Sequence, residues 1–161
     1  MIRAGLLACL LLLGACANKP PLPAQNPTLD LPLQLHVEKQ QAGQQQDWLL
    51  VIQQEGDSLR WSLLDLLGIP QARQLLRQQQ WQADGLLPPN PEARELFAAV
   101  LFALTPVDEL SANYPRAYQR GQWRQLDDRW RVTYQPPHAF TLDLAHGLRY
   151  QVSPLPGENR P

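Results

Sequence analysis

The chain has 161 residues, and its 14 Lys and Arg nearly balance 15 Asp and Glu, giving a formal net charge of -1. This balance argues against a nucleic acid partner, which a basic surface would bind. Both cysteines, Cys9 and Cys16, lie near the N-terminus, so the rest of the sequence offers no disulfide, thiol nucleophile or thiolate metal ligand. The length suffices for one domain with a substantial apolar core.

The N-terminus has the pattern of a lipoprotein signal peptide. Arg3 precedes an apolar run over residues 4–13, which ends in the lipobox Leu13-Gly14-Ala15-Cys16. Such a run is too short to span a bilayer, since a spanning helix needs about 20 residues. We therefore predict that residues 1–15 are removed and that Cys16 becomes a lipidated first residue carrying acyl chains such as palmitate. The alternative is an ordinary cysteine behind a conventional signal.

Residues 16–30 are predicted to be a tether. They are rich in proline, and such segments are extended at about 3 Å per residue and stiff enough to hold a domain clear of the lipid headgroups. We expect the folded domain over residues 31–155 and a C-terminal tail over 156–161.

The first half of the domain has strand patterns. Apolar and polar residues alternate over 31–38, which predicts a half-buried strand. The segments 47–54 and 59–63 flank the turn Glu55-Gly56-Asp57 and predict a hairpin. Residues 71–83 fit a strand or a helix, and we favour the strand.

A helix is predicted before Thr105. Asn90 is a suitable N-cap, Pro91 suits the first helical position, and apolar residues recur at helical spacing over 96–104. Thr105 and Asp108 have the spacing of a capping box for a short second helix over 107–110.

The C-terminal third returns to alternation. Three strands are predicted over 130–134, 140–144 and 148–152, with a tight turn at Ala145-His146-Gly147. Consecutive strands joined by short turns form an antiparallel sheet, and the inserted helix makes the fold class α+β.

The sequence lacks the residue patterns of common active sites. His36, His138 and His146 have no metal-ligand spacing to one another, and Asp127-Asp128 fits a turn better than a catalytic pair. No phosphate-binding glycine loop and no nucleophile elbow is present. We therefore expect no enzymatic activity, no cofactor and no metal site.

The tryptophans leave two interpretations open. Each is large enough to form part of the core, and several together could instead line a cavity between a curved sheet and the helix over 96–104. They are Trp48, Trp61, Trp81, Trp123 and Trp130.

The order of these features resembles the LolA/LolB group of periplasmic lipoprotein carriers, and more closely a set of lipoproteins encoded beside aryl polyene biosynthesis genes. The resemblance rests on pattern and order over most of the chain after Cys16. The features that carry it are the lipobox, the hairpin over 48–63, the apolar turn Leu66-Leu67-Gly68-Ile69-Pro70, the helix before Thr105-Pro106, and the closing strands over 120–152.

This resemblance implies an antiparallel half-open β-barrel with a helical lid, whose concave apolar face holds acyl chains. The residues expected to line the ligand are Val51, Leu59, Trp61, Leu63, Phe97, Leu101, Trp130 and Val132. In LolB an apolar residue projects from a turn between early strands and touches the membrane. The matching residues here are Leu66, Leu67 and Ile69, and the alternative is a turn tucked against the domain.

The expected function is that of an outer-membrane lipoprotein that faces the periplasm, binds a lipid or polyene chain and assists its transport or membrane placement. Its partners would be the membrane, through the N-terminal acyl chains, and a periplasmic carrier protein. The outer membrane is favoured because Ala17 and Asn18 follow Cys16, without the Asp that commonly retains lipoproteins in the inner membrane. The alternatives are a scaffold lipoprotein that docks a protein partner and, more remotely, a hydrolase.

Overall fold

The computed structural model describes residues 19–155, so the predicted signal peptide, Cys16 and the C-terminal tail lie outside the described residues. Ten strands of this part form one sheet, and all neighbouring strands are antiparallel. The strands are β1 (Leu33–Gln41), β2 (Gln44–Glu55), β3 (Ser58–Asp65), β4 (Pro70–Arg77), β5 (Gln80–Ala83), β6 (Ala117–Arg120), β7 (Trp123–Leu126), β8 (Trp130–Gln135), β9 (Ala139–Asp143) and β10 (Arg149–Pro154).

The sheet consists of two five-stranded meanders joined at one seam. Its strand order is β5-β4-β3-β2-β1-β10-β9-β8-β7-β6, so neighbouring strands are consecutive in the chain except at the β1–β10 pair. At this seam Val37 lies opposite Val152. The strands β5 and β6 are the two edges, and the sheet is not closed. The expected α+β class, with an open antiparallel sheet, is confirmed, and so is the assignment of 71–83 to strands.

The long helix, α1 (Pro91–Leu104), begins as the sequence predicts. The side-chain oxygen of Asn90 accepts a hydrogen bond from the Ala93 backbone N–H at 3.0 Å, and Pro91 follows at the start of the helix. The described part of the chain has no helix that is both long enough and apolar enough to span a bilayer.

The predicted capping box of the second helix is wrong. The helix α2 (Val107–Asn113) has Pro106 at its N-cap and no side-chain cap hydrogen bond. Thr105 instead closes α1, because its hydroxyl donates to the Leu101 carbonyl at 2.8 Å. The Thr105 side chain is therefore turned back toward α1 and accepts no hydrogen bond from the first turn of α2.

The sheet curves around α1 and the helix fills the space inside. The ring of Phe97 lies 5.5 Å from Trp61 on β3, and the ring of Phe102 lies 5.7 Å from Trp130 on β8. These strands stand five places apart, which is roughly 24 Å in a flat sheet and more than a helix diameter. Residues 96–103 of the helix are all buried, as their apolar composition requires.

One end of the sheet, which we call the turn end, carries the β3–β4 turn over 66–69, the β1–β2 hairpin and the start of α1. The register between β2 and β3 places both turns at this end, because Trp48 near the start of β2 pairs with Asp65 at the end of β3. Glu92 in the first turn of α1 forms an ion pair with Lys39 near the end of β1, which places the start of the helix there as well.

The segment predicted to be an extended tether, 16–30, contacts the folded domain in the part that the structure describes. Leu22 and Leu29 pack against the core, as does Leu31 at the predicted start of the domain. The Ala24 N–H donates to the carbonyl of Asn113, the last residue of α2, at 3.2 Å. The prolines extend this segment, but the leucines between them dock it along α2.

Candidate functional site

The residues expected to line a ligand are core residues instead. Seven of the eight lie on the inner face of the sheet or on α1 and are buried: Leu59, Trp61, Leu63, Phe97, Leu101, Trp130 and Val132. Val51 is on the outer face, because strand alternation places its neighbours Leu50 and Ile52 inside and Val51 outside, half-buried. The assignment of Val51 to the concave face is therefore wrong. The helix fills the space in which the sequence predicted a ligand.

A large cavity opens elsewhere, at the end of the sheet opposite the turn end. We call this end the cavity end. The cavity measures about 960 Å³ and lies between the start of β1, the end of α1 and the β8–β9 turn. Its lining includes Asp30, Leu33, Gln34, Leu35, Ala103, Leu104, Gln122, Tyr134, Gln135, Pro136, Pro137, His138, Ala139, Phe140 and Pro154. None of the eight expected lining residues belongs to this set.

The cavity has an apolar wall and a polar rim. Leu35, Ala103 and Phe140 are buried in the wall, and Leu33 and Leu104 are half-buried beside them. The polar residues at the cavity are mostly uncharged glutamines, with one aspartate and one histidine. Its volume is at the upper end of the range of small-molecule sites in proteins, about 300 to 1,000 Å³, which are also mainly apolar.

Side chains from β7 and β8 fix the end of α1 behind this wall. The Tyr134 hydroxyl donates to the Ala103 carbonyl at 2.8 Å. The Nη1 group of Arg124 donates to the carbonyls of Phe102 and Thr105, each at 2.7 Å. The last carbonyls of a helix have no partners within it, and these bonds satisfy them. The wall of the cavity is therefore held in place by specific hydrogen bonds.

The electrostatics of this wall are simple. Arg124 is buried, and burial lowers the pKa of its guanidinium, which still remains protonated because a guanidinium starts from so high a value. Its positive charge lies at the C-terminal end of the helix dipole, where a cation is stabilising. Burial raises the pKa of Tyr134 to about 12, so the phenol is a neutral donor at physiological pH. Neither Arg124 nor Tyr134 therefore changes its charge near neutral pH.

A second feature, at the turn end, is an exposed apolar turn. The side chains of Leu66, Leu67 and Ile69 are 73%, 85% and 53% exposed. This exposure contradicts the alternative of a turn tucked against the domain. Isolated exposed leucines are ordinary on protein surfaces, but three in four residues form a distinct apolar protrusion.

The apolar turn is held by Asp65. One carboxylate oxygen of Asp65 accepts hydrogen bonds from the backbone N–H groups of Leu67 and Ile69, each at 2.9 Å. The other carboxylate oxygen accepts from the Gln71 side-chain amide at 3.2 Å. Gly68 supplies the left-handed conformation that this turn needs, with φ +79°. The apolar side chains are therefore presented outward on an ordered backbone.

The histidines and paired acids are not brought together. His36 contacts Asp47 at 2.8 Å on the outer face, His138 borders the cavity, and His146 lies in the turn before β10. Asp127 forms an ion pair with Arg116. Over residues 19–155, no group of three or more His, Cys, Asp or Glu side chains could hold a metal ion.

The cavity residues were missed from the sequence because they come from distant segments. Leu33, Leu104 and Phe140 are brought together only by the folded sheet and helix. The local signal was Pro136-Pro137, which excludes a tight two-residue hairpin between β8 and β9 and so indicates an irregular loop.

No family model matches the chain, and no curated protein matches it. The cavity and the apolar turn are the features from which a function can be inferred.

Proposed function

We propose that this chain is an outer-membrane lipoprotein that binds an acyl or polyene chain in the 960 Å³ cavity and assists the transport or membrane placement of that lipid. The observation that carries the proposal is the cavity itself, which has an apolar wall while the rest of the space inside the sheet is filled by α1. The proposal includes lipidation at Cys16, a position facing the periplasm, and supply of the lipid by a periplasmic carrier.

The chemistry of the wall favours a hydrocarbon chain over a polar ligand. A polar metabolite needs several fixed donors and acceptors, whereas the deepest wall residues here are Leu35, Ala103 and Phe140. Burying a long chain removes on the order of 300 Å² of apolar surface, worth several kcal/mol at about 25 cal/mol per Å², and ordering the ligand offsets part of this. Micromolar affinity is the expected scale.

The open sheet wrapped on a helix also supports a LolA/LolB-like half-barrel as the finer description of the fold. One difference matters for function. The ligand in our proposal lies at the end of α1, between Leu33, Leu104 and Phe140, and not along the concave face. In the same proposal Leu66, Leu67 and Ile69 contact the membrane.

The test is a polar substitution in the cavity wall. We expect Leu104→Gln to weaken binding of cis-parinaric acid, a fluorescent polyene fatty acid, by about tenfold or more, because an apolar chain leaves the buried amide without a partner. Binding is measured on the full chain in lipid vesicles by energy transfer from tryptophan, with protein-free vesicles as the blank for probe dissolved in the bilayer.

Val107→Gln is the matched control. Val107 is an exposed apolar residue at the same end of the molecule, and it is not among the cavity-lining residues. Its substitution should leave affinity unchanged. A parent chain that transfers no energy to the probe, or equal losses in both variants, would mean that the cavity does not bind acyl chains.

The second candidate function is a scaffold lipoprotein that docks a protein partner. The exposed turn at Leu66, Leu67 and Ile69 favours it, because a protein can cover these side chains as well as a membrane can. A scaffold needs no ligand in the cavity, so the parinaric acid experiment separates the two functions.

A further inference from the structure

We infer that the turn end is a membrane-docking face with two apolar contacts, the turn over 66–69 and Leu86, and that the cavity consequently opens away from the bilayer. This inference rests on the proposed function, because it takes the chain to be anchored through Cys16. It adds a second contact residue and an orientation.

Leu86 is the most exposed large apolar residue of the described chain, with its side chain fully in solvent. It lies in the loop that leads from the end of β5 to Asn90 at the start of α1. Asn90 and Gln71 line the same small crevice, and the Gln71 side chain also hydrogen bonds to Asp65 and to the Ile69 carbonyl in the turn. The loop with Leu86 therefore ends beside the apolar turn.

The N-terminal segment approaches the same end. The helix α2 starts just after the end of α1, at the cavity end, and leads to β6, whose first residue Ala117 pairs with Leu126 beside the β7–β8 turn at the turn end. Thr28 hydrogen bonds to Glu109 in the first turn of α2, and Ala24 bonds to Asn113 at its end. The chain therefore runs toward the turn end as it is followed back to its N-terminus.

The anchor can reach the bilayer without displacing this segment. Leu22 packs against the core, and Cys16 precedes it by six residues. Six residues span at most about 20 Å. An acyl chain at Cys16 is thus tethered within a short distance of the turn end. Anchoring through this chain keeps the turn end at a high effective concentration near the bilayer, so weak apolar contacts suffice to fix the orientation of the domain.

The occupant that fits these contacts is a lipid bilayer. Leu66, Leu67, Ile69 and Leu86 are all exposed apolar side chains, and such side chains gain free energy by entering the boundary of an adjacent bilayer. They stand on two separate protrusions, which suits insertion among lipids more than docking in a groove. The neighbouring β1–β2 hairpin carries glutamines at positions 40, 41, 44, 45 and 46, which are uncharged and can hydrogen bond to headgroups.

The orientation determines where the cavity opens. The turn and the cavity lie at opposite ends of the sheet, separated by the length of a strand such as β3, whose eight residues span roughly 25 Å. With the turn end on the bilayer, the β8–β9 turn and His138 at the cavity face the aqueous compartment. The ligand therefore enters and leaves from the aqueous side.

Site-specific labelling tests this arrangement. The sequence has no cysteine after Cys16, so Leu67→Cys, Leu86→Cys and Val107→Cys each add one labelling site to the full chain. Each variant is labelled with an environment-sensitive nitrobenzoxadiazole dye in vesicles of phosphatidylethanolamine and phosphatidylglycerol. The unsubstituted chain gives the background from Cys9 and Cys16.

We expect blue-shifted emission and protection from aqueous iodide at positions 67 and 86, and neither at position 107. Protection at 67 but not at 86 would overturn the inference and leave the proposed membrane contact of the turn standing. Protection at 107 as well, or at none of the three positions, would also overturn it. Protection at position 86 that disappears when the protein is diluted into more lipid would mean that a second copy of the chain covers this position, and this result would also overturn the inference. Parinaric acid binding, measured on the same vesicles, reports separately on the proposed function.

Discussion

Trp61 shows how one residue decides between a cavity and a core. Its ring lies within 6 Å of the rings of Phe97 and Trp81, and none of its surface is exposed. Trp123, by contrast, is half-buried at the start of β7 and packs on Tyr118 near an edge of the sheet. The two residues have the same chemistry in the sequence, and only tertiary packing distinguishes them.

Trp61→Ala is therefore predicted to cost roughly 3 to 5 kcal/mol in the free energy of unfolding, because it leaves a large void in a packed core. Trp123→Ala should cost clearly less, since its ring is partly in solvent. Urea unfolding followed by circular dichroism measures both. Similar losses in the two variants would show that Trp61 borders open space.

Tyr134, a residue of the cavity wall, makes the stability of the fold depend on pH in the alkaline range. Burial raises the pKa of Tyr134 to about 12 from its ordinary value of 10, so the folded state favours the neutral phenol. When folding raises the pKa of a group, the group stabilises the folded state fully at pH values below its pKa in the unfolded chain. This stabilisation is lost as the pH rises through the pKa of the group in the folded state. Its contribution is thus complete below pH 10 and declines between pH 10 and about 12.

We expect Tyr134→Phe to lower stability by roughly 1 kcal/mol at neutral pH, because the Ala103 carbonyl loses its donor. The variant should also lose stability less steeply above pH 10. Urea unfolding over about pH 8 to 11 tests both effects. Tyr114 and Tyr150 also have raised pKa values, through burial, so some alkaline loss should remain. Identical slopes for parent and variant would contradict this assignment.

At the scale of elements, one side chain, Asp65, holds the β3–β4 turn. Asp65 accepts hydrogen bonds from two backbone N–H groups of the turn and from Gln71. Such a carboxylate holds a turn that has few other contacts, because the apolar side chains of Leu66 and Leu67 point into solvent.

Asp65→Ala should speed hydrogen exchange at the Leu67 and Ile69 amides severalfold while costing only about 1 kcal/mol overall, because these amides can bond to water instead. Asp65→Asn is the matched control: it keeps an acceptor oxygen and should retain most of the protection. Unchanged exchange in Asp65→Ala would show that the turn is held by its backbone alone.

Local signals predicted the main elements and missed the smaller ones. The Asn90-Pro91 start and the apolar spacing over 96–104 were sufficient for α1, and alternation was sufficient for β1 and β8. Alternation did not identify β6 and β7, and only the resemblance placed strands after residue 120, because each of the two strands has four residues and alternation over so short a length is weak evidence. Residues 16–30 were predicted to be a tether, because the prolines among them obscured Leu22 and Leu29, which pack against the core.

For the whole molecule, the sequence predicted a cavity between the sheet and the long helix, and the structure has a cavity in a different place. An open sheet with a helix on its apolar face implied a space between them, and the volume of α1 fills that space. The unfilled volume lies at the end of the helix, where Leu33, Leu104 and Phe140 meet. Whether a cavity remains depends on side-chain volumes summed across distant segments, which periodicity cannot supply.

The seam between β1 and β10 sets the order in which this chain can fold. Within each five-stranded meander every pairing is local in sequence, whereas Leu35 must meet Pro154 across almost the whole described chain. Contacts of such separation close slowly, because the loop entropy is lost before the contact stabilises anything. The two meanders can therefore form early, and the sheet becomes continuous only once β10 docks. When the chain is delivered from its N-terminus, β1 can pair with β2 early. The edge of β1 that pairs with β10 stays unpaired until nearly all of the domain has emerged.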